Sequence, residues 1–476
     1  MLKNDRPRIL LVLLGCIVLS LSQILYLTYF VVFRADTVKH HAANRRSWIE
    51  ESEILRGSIY DRNGELLAYS DGEVGKFQRF YNYPRIYCHI VGYAHPAMGK
   101  AGLESSFNDY LLNRNGNRTW KSFLEWATNR NRIGNNLILT VDTNLQQHVH
   151  DIMAETGVKG AAVVLNPKTG EVYAMVSMPD YDAQKIQEDW DNISKSTDGI
   201  LVNRAVSGRY PPGSTFKIIT STALLEHPEI DQSYNDEGTQ KIGARVFKNF
   251  NAEEQNGKVN LRGAFAQSLN TYFVSKGVEI GKENLGAVAD KYMFNQDVPF
   301  DLPLKKSVFN YKKRLDDIQV AASSIGQGDV LATPLEMAMV AGAIANDGKM
   351  MKPYLVRDIQ TRNGAEVQET TPEELSTVSS PEVVAELQTL MKRVVSHGSG
   401  SRAQIRGMRV AGKTGTAENA SGKSHAWFVG YAPADEPRFA VAVILEEADQ
   451  SGGVGAAPIA RDILIYANRL INVVGS

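Results

Sequence analysis

The chain has 476 residues, which is room for two or three domains and a large hydrophobic core. It carries 52 basic and 53 acidic residues, so its formal net charge of −1 gives no indication of a nucleic-acid-binding protein. Hydrophobic residues make up 43% of the chain, an ordinary share for a folded protein.

The first predicted element is a membrane-spanning helix at residues 9–33. No charged residue interrupts this stretch, which is long enough to cross a bilayer with some tilt. A secretory signal peptide is the alternative, but its apolar segment is usually about 7 to 15 residues long and ends at a small-residue cleavage site, which is not found here. Basic residues precede the helix, so residues 1–8 are predicted to be a cytoplasmic tail and the chain beyond Arg34 to lie outside.

Residues 34–136 are predicted to form a small domain next to the membrane, which we call the pedestal domain. The spacing of apolar residues predicts an exposed helix at 34–53. Asp61-Arg62-Asn63-Gly64 is a hairpin turn signal between two strand-like pieces. Glu104 is a lone carboxylate, and we interpret it as a structural ion-pair or hydrogen-bond partner.

A second, larger domain is predicted at residues 137–476. Its patterns are a strand at 137–142, a helix from Thr143, strand hairpins at 160–176 and 426–444, and a closing helix at 458–471. Early strands, a central block of helices, late strands and a final helix predict an α+β fold whose sheet is completed by distant parts of the chain. Residues 361–382, rich in Thr, Glu and Ser, are predicted to be an exposed insertion before a helix that begins at Ser380.

The most informative stretch is Tyr210-Pro211-Pro212-Gly213-Ser214-Thr215-Phe216-Lys217. Pro-Pro-Gly breaks any preceding element and the following residues have helical propensity, so Ser214 is predicted at or near a helix N-terminus. Lys217 is three residues further on, on the same helical face, where its amine can take the hydroxyl proton. Alone, Ser-x-x-Lys is expected about twice by chance in a chain of this length, as a capped helix with a solvated lysine.

Two further motifs follow in the chain. Ser268-Leu269-Asn270 is a Ser-x-Asn motif, and Lys413-Thr414-Gly415-Thr416 is a Lys-Thr-Gly motif. The three motifs, in this order, resemble the set found in the serine penicillin-recognising superfamily of penicillin-binding proteins and serine β-lactamases. The segment around Asp61-Arg62-Asn63-Gly64 also resembles a signature of class B penicillin-binding proteins. From about residue 55 to the end, the chain resembles a short class B enzyme, which is a monofunctional D,D-transpeptidase.

This resemblance implies an antiparallel sheet covered by helices on both faces, of the β-lactamase/transpeptidase type. It implies a catalytic set of Ser214, Lys217, Ser268, Asn270 and Lys413. In the family the first serine is the nucleophile, the Ser-x-Asn serine relays protons toward the leaving amine, and the asparagine orients the substrate amide. Lys217 can act as a base only when neutral, and burial together with a positive charge on Lys413 would favour that form.

The Lys-Thr-Gly motif is predicted to form one wall of the site, on a strand. Thr414 and Thr416 can hydrogen-bond a terminal carboxylate, and Gly415 lets a substrate backbone lie against the strand. By resemblance, the backbone amides of Ser214 and Thr416 form the oxyanion hole. Ile325-Gly326-Gln327-Gly328 is interpreted as structure that lines the site. No metal site and no cofactor is implied, and none of the nine histidines is given a role.

The implied reaction is peptidoglycan D,D-transpeptidation. Ser214 attacks a stem peptide that ends in D-Ala-D-Ala, the last D-Ala leaves, and the acyl group passes to an amine on a neighbouring strand. β-Lactams would acylate the same serine. The resemblance places the enzyme in the bacterial cell membrane, with a single span and an extracytoplasmic C-terminal domain, and implies a SEDS-type membrane glycan-strand polymerase as partner.

Three alternatives stay open from the sequence. A D,D-carboxypeptidase and a class D-like β-lactamase use the same motifs and differ in what accepts the acyl group. A membrane-anchored β-lactam sensor or scaffold would need acylation without turnover.

Overall fold

The computed structural model describes residues 6–33, 48, 51–114, 133–251, 253–419 and 422–474. Most of the predicted exposed helix at 34–53 and of the predicted tail at 1–8 lies outside the described residues.

The helices in chain order are α1 (Arg6–Phe33), α2 (Gly102–Ser106), α3 (Asn108–Leu111), α4 (Thr143–Glu155), α5 (Trp190–Lys195), α6 (Arg204–Ser207), α7 (Lys217–Leu225), α8 (Leu261–Gln267), α9 (Asn270–Lys291), α10 (Asp317–Ser324), α11 (Pro334–Ala345), α12 (Pro381–His397) and α13 (Ala456–Val474). Short 3₁₀ helices lie at Ala183–Lys185, Gly213–Phe216 and Ser401–Ala403.

The strands in chain order are β1 (Ile59–Tyr60), β2 (Leu66–Asp71), β3 (Gln78–Tyr81), β4 (Ala94–His95), β5 (Gly99–Lys100), β6 (Asn136–Leu139), β7 (Gly160–Leu165), β8 (Val172–Met178), β9 (Tyr234–Asp236), β10 (Thr239–Ile242), β11 (Arg245–Lys248), β12 (Gly257–Val259), β13 (Val308–Phe309), β14 (Val330–Leu331), β15 (Lys349–Met351), β16 (Val356–Gln360), β17 (Glu366–Glu369), β18 (Glu374–Thr377), β19 (Ala411–Glu418), β20 (Ser424–Ala432) and β21 (Phe439–Leu445).

The apolar helix α1 begins at Arg6, three residues before the predicted span. Its stretch Ile9–Phe30 has a mean hydropathy of 2.5 and is not buried against any described residue. An apolar stretch of 22 residues within a helix fits a single-pass membrane anchor.

A five-stranded antiparallel sheet organises the larger part of the chain, in the order β19-β20-β21-β7-β8. The predicted hairpins at 160–176 and 426–444 are confirmed as β7 with β8 and β20 with β21. Because β21 pairs with β7, the sheet joins early and late parts of the chain, as the α+β prediction requires. Strand β19 lies at one edge, so one of its sides has no strand neighbour among the described residues.

Helices cover both faces of this sheet, as predicted. On one face α13 and α4 pack against β20, β21 and β8, around buried residues such as Phe428, Val443 and Ile463. On the other face α11 packs against β21, β20 and β7, and all of its residues are buried. The second face carries the larger core, and α7 and α9 lie within it.

A second, six-stranded sheet joins early strands with two strands from beyond residue 355, in the order β17-β16-β6-β1-β2-β3. Strands β1 and β2 pair around Asp61–Gly64, which confirms the predicted hairpin. Strand β6 pairs with β1 on one side and with β16 on the other, so the predicted boundary at residue 137 falls at a strand shared by both halves. The predicted insertion at 361–382 is exposed but not irregular, because β17 extends this sheet and β18 pairs with β15.

Glu104 lies at the centre of a buried ion cluster in the pedestal domain. Its carboxylate accepts hydrogen bonds from Arg56 Nε at 2.5 Å and from Arg79 Nε at 2.6 Å. Burial alone would raise the pKa of Glu104, but the two guanidinium groups outweigh it and hold the pKa below the ordinary value. The carboxylate joins three separate segments, which is the structural role predicted for it.

Candidate active site

Ser214 lies in the 3₁₀ turn Gly213–Phe216, and α7 begins directly after it at Lys217. The regular α-helix therefore begins three residues after Ser214, and the 3₁₀ turn before it carries the serine.

The turn that carries Ser214 is supported by the loop at residues 325–328. Gly213 has φ +54° and its N–H donates a hydrogen bond to the Gly326 carbonyl at 2.9 Å. A Cβ on Gly326 would lie 2.2 Å from the Gly213 carbonyl oxygen, so only glycine fits there. The 325–328 loop thus supports the Ser214 turn from behind, consistent with its predicted lining role.

Lys217 is completely buried and faces the Ser-x-Asn motif. Its Nζ donates hydrogen bonds to the Ser268 carbonyl oxygen and to Asn270 Oδ1, each at 2.8 Å, and lies 3.3 Å from Ser268 Oγ. Burial, and after it the neighbouring Lys413, hold the pKa of Lys217 well below its ordinary value of 10.5. The neutral amine that a general base needs is therefore favoured. No hydrogen bond joins Lys217 to Ser214 in the described chain.

The Ser-x-Asn motif occupies the tight connection between α8 and α9. Ser268 ends α8 with φ 62° and ψ 41°, a left-handed backbone that is uncommon outside glycine, and Asn270 begins α9. Asn270 Nδ2 donates to the Lys248 carbonyl at 2.9 Å, while its Oδ1 accepts from Lys217. The side-chain amide therefore has a fixed orientation and one N–H left over.

Lys413 reaches the same serine from strand β19. Its side chain is fully buried, and Nζ donates to Ser268 Oγ at 2.8 Å and to the Thr414 carbonyl at 3.0 Å. Burial lowers the pKa of Lys413 to about 7. The structure therefore brings the three motifs together around the Ser268 hydroxyl.

The two threonines of the Lys-Thr-Gly motif use their hydroxyls within the protein. Thr414 Oγ1 is 2.7 Å from Ser399 Oγ, and Thr416 Oγ1 accepts from the Gly452 N–H at 3.2 Å. Since Thr416 uses an acceptor position there, its own hydroxyl proton remains able to donate to an anion. Ser399 was not found from the sequence, because no motif connects it with Thr414.

Gly415 has a packing role besides the one predicted from the sequence. A Cβ at this position would lie 2.8 Å from the Pro212 carbonyl oxygen and 3.0 Å from Thr215 Cγ2. Glycine is needed so that β19 can lie directly against the turn that carries Ser214. Its predicted contact with a substrate backbone stays a prediction.

A buried hydrogen-bond network beside Asn270 was also missed by the sequence reasoning. Asp236, 1% exposed, accepts from Thr271 Oγ1 at 2.6 Å, from Asn256 Nδ2 at 2.6 Å and from Asn249 Nδ2 at 2.9 Å. Asn249 Oδ1 in turn accepts from the Thr271 N–H. The network holds the β10–β11 hairpin against the start of α9, and so fixes the carbonyl that orients Asn270.

In the residues that the structure describes, no group of three His, Cys, Asp or Glu side chains is placed to hold a metal ion. The chemistry available at the site is nucleophilic and acid–base chemistry by serine and lysine, with backbone amides and threonine hydroxyls as donors.

Two protein families match the chain. The penicillin binding protein transpeptidase domain matches residues 160–465, and the penicillin binding protein A dimerisation domain matches residues 56–137. The first match contains all three motifs. The second covers residues 56–136 of the predicted pedestal domain and ends one residue beyond it, in β6.

Relatives match over nearly the whole length. A peptidoglycan D,D-transpeptidase, PbpA, of Mycolicibacterium smegmatis is 34% identical over 465 residues, which cover 92% of this chain and 94% of that protein. The ceftriaxone acyl-enzyme structure of penicillin-binding protein A from M. tuberculosis has a TM-score of 0.81 and 32% identity, with 88% of this chain and 99% of that chain covered. The D,D-transpeptidase domain of a peptidoglycan glycosyltransferase from Eggerthella lenta has a TM-score of 0.79 and 33% identity, with 88% and 100% covered.

Proposed function

The chain belongs to the penicillin-binding protein transpeptidase family, and on that premise we propose that Ser214 is its nucleophile and Lys217 the base that activates it. The protein is a serine-type peptidoglycan D,D-transpeptidase that is acylated by β-lactams. The observation that carries the residue roles is the meeting of Lys217 and Lys413 at one serine hydroxyl, with Lys217 buried and its amine held by two carbonyl oxygens.

The geometry around Lys217 suits a proton acceptor. A neutral amine has two N–H groups and one lone pair. The Ser268 carbonyl and Asn270 Oδ1 accept the two shortest hydrogen bonds, from the two N–H groups. The lone pair can then take the Ser214 proton and exchange it with Ser268 Oγ, which lies 3.3 Å away. The half-buried Ser214 hydroxyl makes no hydrogen bond to other described residues, and catalytic hydrogen bonds often tighten only when substrate is bound.

The proposed reaction has two halves. Lys217 takes the Ser214 proton as Oγ attacks the carbonyl carbon of the penultimate D-Ala, and the amides of Ser214 and Thr416 stabilise the oxyanion. The peptide C–N bond then breaks, and Ser268 gives its proton to the leaving D-Ala amine while taking the one that Lys217 holds. In the second half an amine of a neighbouring stem peptide attacks the Ser214 ester and loses a proton through Ser268 to Lys217. Lys217 returns that proton to Ser214 Oγ as the ester C–O bond breaks.

The other motif residues are proposed to hold the substrate. Asn270 has one N–H free to donate to a substrate carbonyl, and Thr416 keeps a hydroxyl proton that can bind the terminal carboxylate. Thr414 would bind the same carboxylate by exchanging its hydrogen bond with Ser399. Lys413, when charged, attracts the same carboxylate and favours the neutral form of Lys217. Gly415 leaves the edge of β19 open to a substrate backbone.

The test of this proposal is intact-protein mass spectrometry after exposure to penicillin. The wild type should gain one penicilloyl group on Ser214 that persists for many minutes, with negligible steady hydrolysis of the drug. Ser214→Ala should abolish both the adduct and peptide crosslinking while keeping the fold. Labelling of the variant at the wild-type rate would move the nucleophile elsewhere, and rapid multiple-turnover hydrolysis would identify a β-lactamase.

We also propose the topology predicted from the sequence. Residues 9–33 cross the membrane once, residues 34–136 form the pedestal domain, and residues 137–476 form an extracytoplasmic transpeptidase domain. The support is the apolar helix and the location of the stem-peptide substrate outside the cytoplasm. Protease added to spheroplasts should degrade the part beyond the helix, and full protection of that part would contradict this orientation.

A SEDS-type glycan-strand polymerase in the same membrane is proposed as the partner that supplies uncrosslinked strands. The region between the anchor and the transpeptidase match is too short for a glycosyltransferase domain of its own. Chemical crosslinking in membranes, followed by mass spectrometry of the purified adducts, tests the pairing. Adducts that contain no such polymerase would count against it.

A further inference from the structure

The two amides proposed for the oxyanion hole come from separate segments, Ser214 in the 3₁₀ turn and Thr416 on β19. Two N–H donors stabilise one developing oxyanion only when the distance between them is fixed before the reaction. The question is therefore what holds the turn against the edge of the sheet. The inference below rests on the proposed roles of these two amides.

The turn and the strand are in direct backbone contact. A Cβ on Gly213 would lie 2.7 Å from the Thr416 carbonyl oxygen, and one on Gly415 would lie 2.8 Å from the Pro212 carbonyl oxygen. At each of these two points the nearest atom is a backbone carbonyl oxygen, with the Ala417 Cβ and the Thr215 Cγ2 next, each at 3.0 Å. Because the turn and β19 touch directly, a small movement of the turn changes the distance between the amides of Ser214 and Thr416. A hydrogen bond that holds the turn to the sheet therefore also sets that distance.

The turn has few ways to form a hydrogen bond to the sheet. Pro211 and Pro212 have no backbone N–H, so this segment can be tethered only through its carbonyl oxygens. The Pro212 carbonyl already accepts from Thr215, from Oγ1 at 2.7 Å and from the backbone N–H at 3.3 Å. The Pro211 carbonyl is the acceptor that remains.

Trp427 supplies the matching donor. Its indole Nε1–H bonds to the Pro211 carbonyl at 3.1 Å, and its side chain is fully buried. Within the described residues, this is the hydrogen bond that joins β19 and β20 to residues 210–216. Trp427 is also the cross-strand partner of Gly415, the residue before Thr416. The Tyr210 ring packs edge-on against the indole with 6.2 Å between ring centroids, which keeps the donor in place.

We propose that Trp427 is a positioning residue for the oxyanion hole. Its indole N–H holds the Pro211 carbonyl, and through it the Ser214 turn, at the distance from β19 that lets both amides reach one oxyanion. Loss of this hydrogen bond should let the turn move away from the strand and should leave the fold in place.

The test uses the full chain in detergent, with Trp427→Phe and penicillin G as the probe. Acylation should slow by about 10-fold, less than for direct loss of an oxyanion donor. In the infrared spectrum, the ester carbonyl of the penicilloyl adduct should absorb at higher wavenumber than in the wild type, because a looser hole polarises it less. An unchanged carbonyl band would overturn the proposal.

The matched control is Phe428→Leu, the next residue on β20. Phe428 is equally buried but packs in the core on the α13 face, away from the Ser214 turn. This variant should lower the melting temperature while leaving the carbonyl band unchanged, and a band shift of the same size would mean that core damage alone moves it. If Trp427→Phe does not fold, the benzothienyl analogue of tryptophan, which keeps the ring shape and lacks the N–H, replaces it.

The same measurements separate this inference from the proposed function. An adduct that forms in Ser214→Ala would refute the assignment of the nucleophile, whatever Trp427 does. A wild-type adduct on Ser214 with an unchanged carbonyl band in Trp427→Phe would refute only the positioning role.

Discussion

Two buried lysines at one serine hydroxyl are the central feature at the scale of single residues. Lys217 and Lys413 are both fully buried, and each lies within hydrogen-bond distance of Ser268 Oγ. Two ammonium groups so close together disfavour each other's charge, and burial disfavours both. The arrangement therefore favours the neutral form of one amine, which the proposed base requires, while the other can carry a charge.

Replacement of Lys217 tests the need for a neutral amine. Lys217→Arg keeps hydrogen-bond donors and a positive charge, but a guanidinium group does not lose its proton in proteins. Acylation by a fluorescent penicillin should fall by about 10² or more, the usual scale of general-base catalysis. The control is Lys276→Arg. Lys276 is a buried lysine that pairs with Glu279, and this variant should keep the wild-type acylation rate. Near-normal acylation of Lys217→Arg would make Lys217 a structural charge only.

The pH dependence of acylation tests Lys413. Its pKa is lowered from 10.5 to about 7 by burial, so the folded protein loses this charge as pH rises through about 7. If the charged form is needed, the second-order acylation constant should fall on the alkaline side by up to about 10-fold per pH unit. Lys413→Arg stays charged and should lack that alkaline decline in measurements from pH 6 to 10. Superimposable profiles would show that the charge on Lys413 is not required.

At the scale of elements, α11 carries a buried carboxyl group that the reaction does not use. Glu336 is 1% exposed, and its Oε1 has no hydrogen-bond partner in the described part of the chain. Burial raises the pKa of Glu336 from 4.5 to about 8, so the side chain is predominantly protonated at neutral pH. Helix α11 packs on the five-stranded sheet, where an ionised carboxylate would be costly.

This carboxyl group predicts a particular dependence of stability on pH. The pKa of Glu336 is higher in the folded state than in the unfolded state. Its contribution to the free energy of unfolding is therefore fully present below about pH 4.5 and is lost as pH rises through about 8. Glu336→Gln cannot ionise, so its melting temperature relative to the wild type should increase from pH 5 to pH 8. Glu369→Gln, on the exposed strand β17, is the matched control. A difference that stays constant with pH would contradict the buried, protonated state.

At the scale of the whole molecule, the six-stranded sheet joins the pedestal domain to the rest of the described chain. Strands β1, β2 and β3 precede residue 115, whereas β16 and β17 follow residue 355, and β6 connects the two groups. Two regions that share one sheet should not unfold independently. We expect calorimetry to show a single cooperative transition for this part of the protein.

Glu104→Gln tests whether the pedestal domain and the rest of the described chain unfold together. It leaves Arg56 and Arg79 buried without their carboxylate, which should cost about 3 kcal/mol of unfolding free energy. The whole calorimetric transition should move to lower temperature. Glu386→Gln, which breaks an ion pair with the exposed Arg262, should change it little. Two separate transitions, of which only one moves, would show that the regions unfold separately.

The amino-acid sequence by itself determined the elements and the residue types of the site. The apolar helix at 9–33, the turn at Asp61–Gly64, the hairpins of the large sheet and the helix start at Ser380 all follow from neighbouring residues. Turn chemistry, capping and hydrophobic periodicity act over a few positions, so they can be read locally. The residues that meet in the site could be identified from the three motifs, because each motif is a short run of neighbouring residues.

Only the tertiary structure decided how these pieces meet. Ser268 Oγ lies between Lys217 and Lys413, which belong to distant parts of the chain, and no local pattern sets those distances. The same holds for Asp236 beside Asn270 and for the hydrogen bond from Trp427 to Pro211. These contacts depend on which helix packs on which strand, and packing is the sum of many weak interactions between residues far apart in sequence.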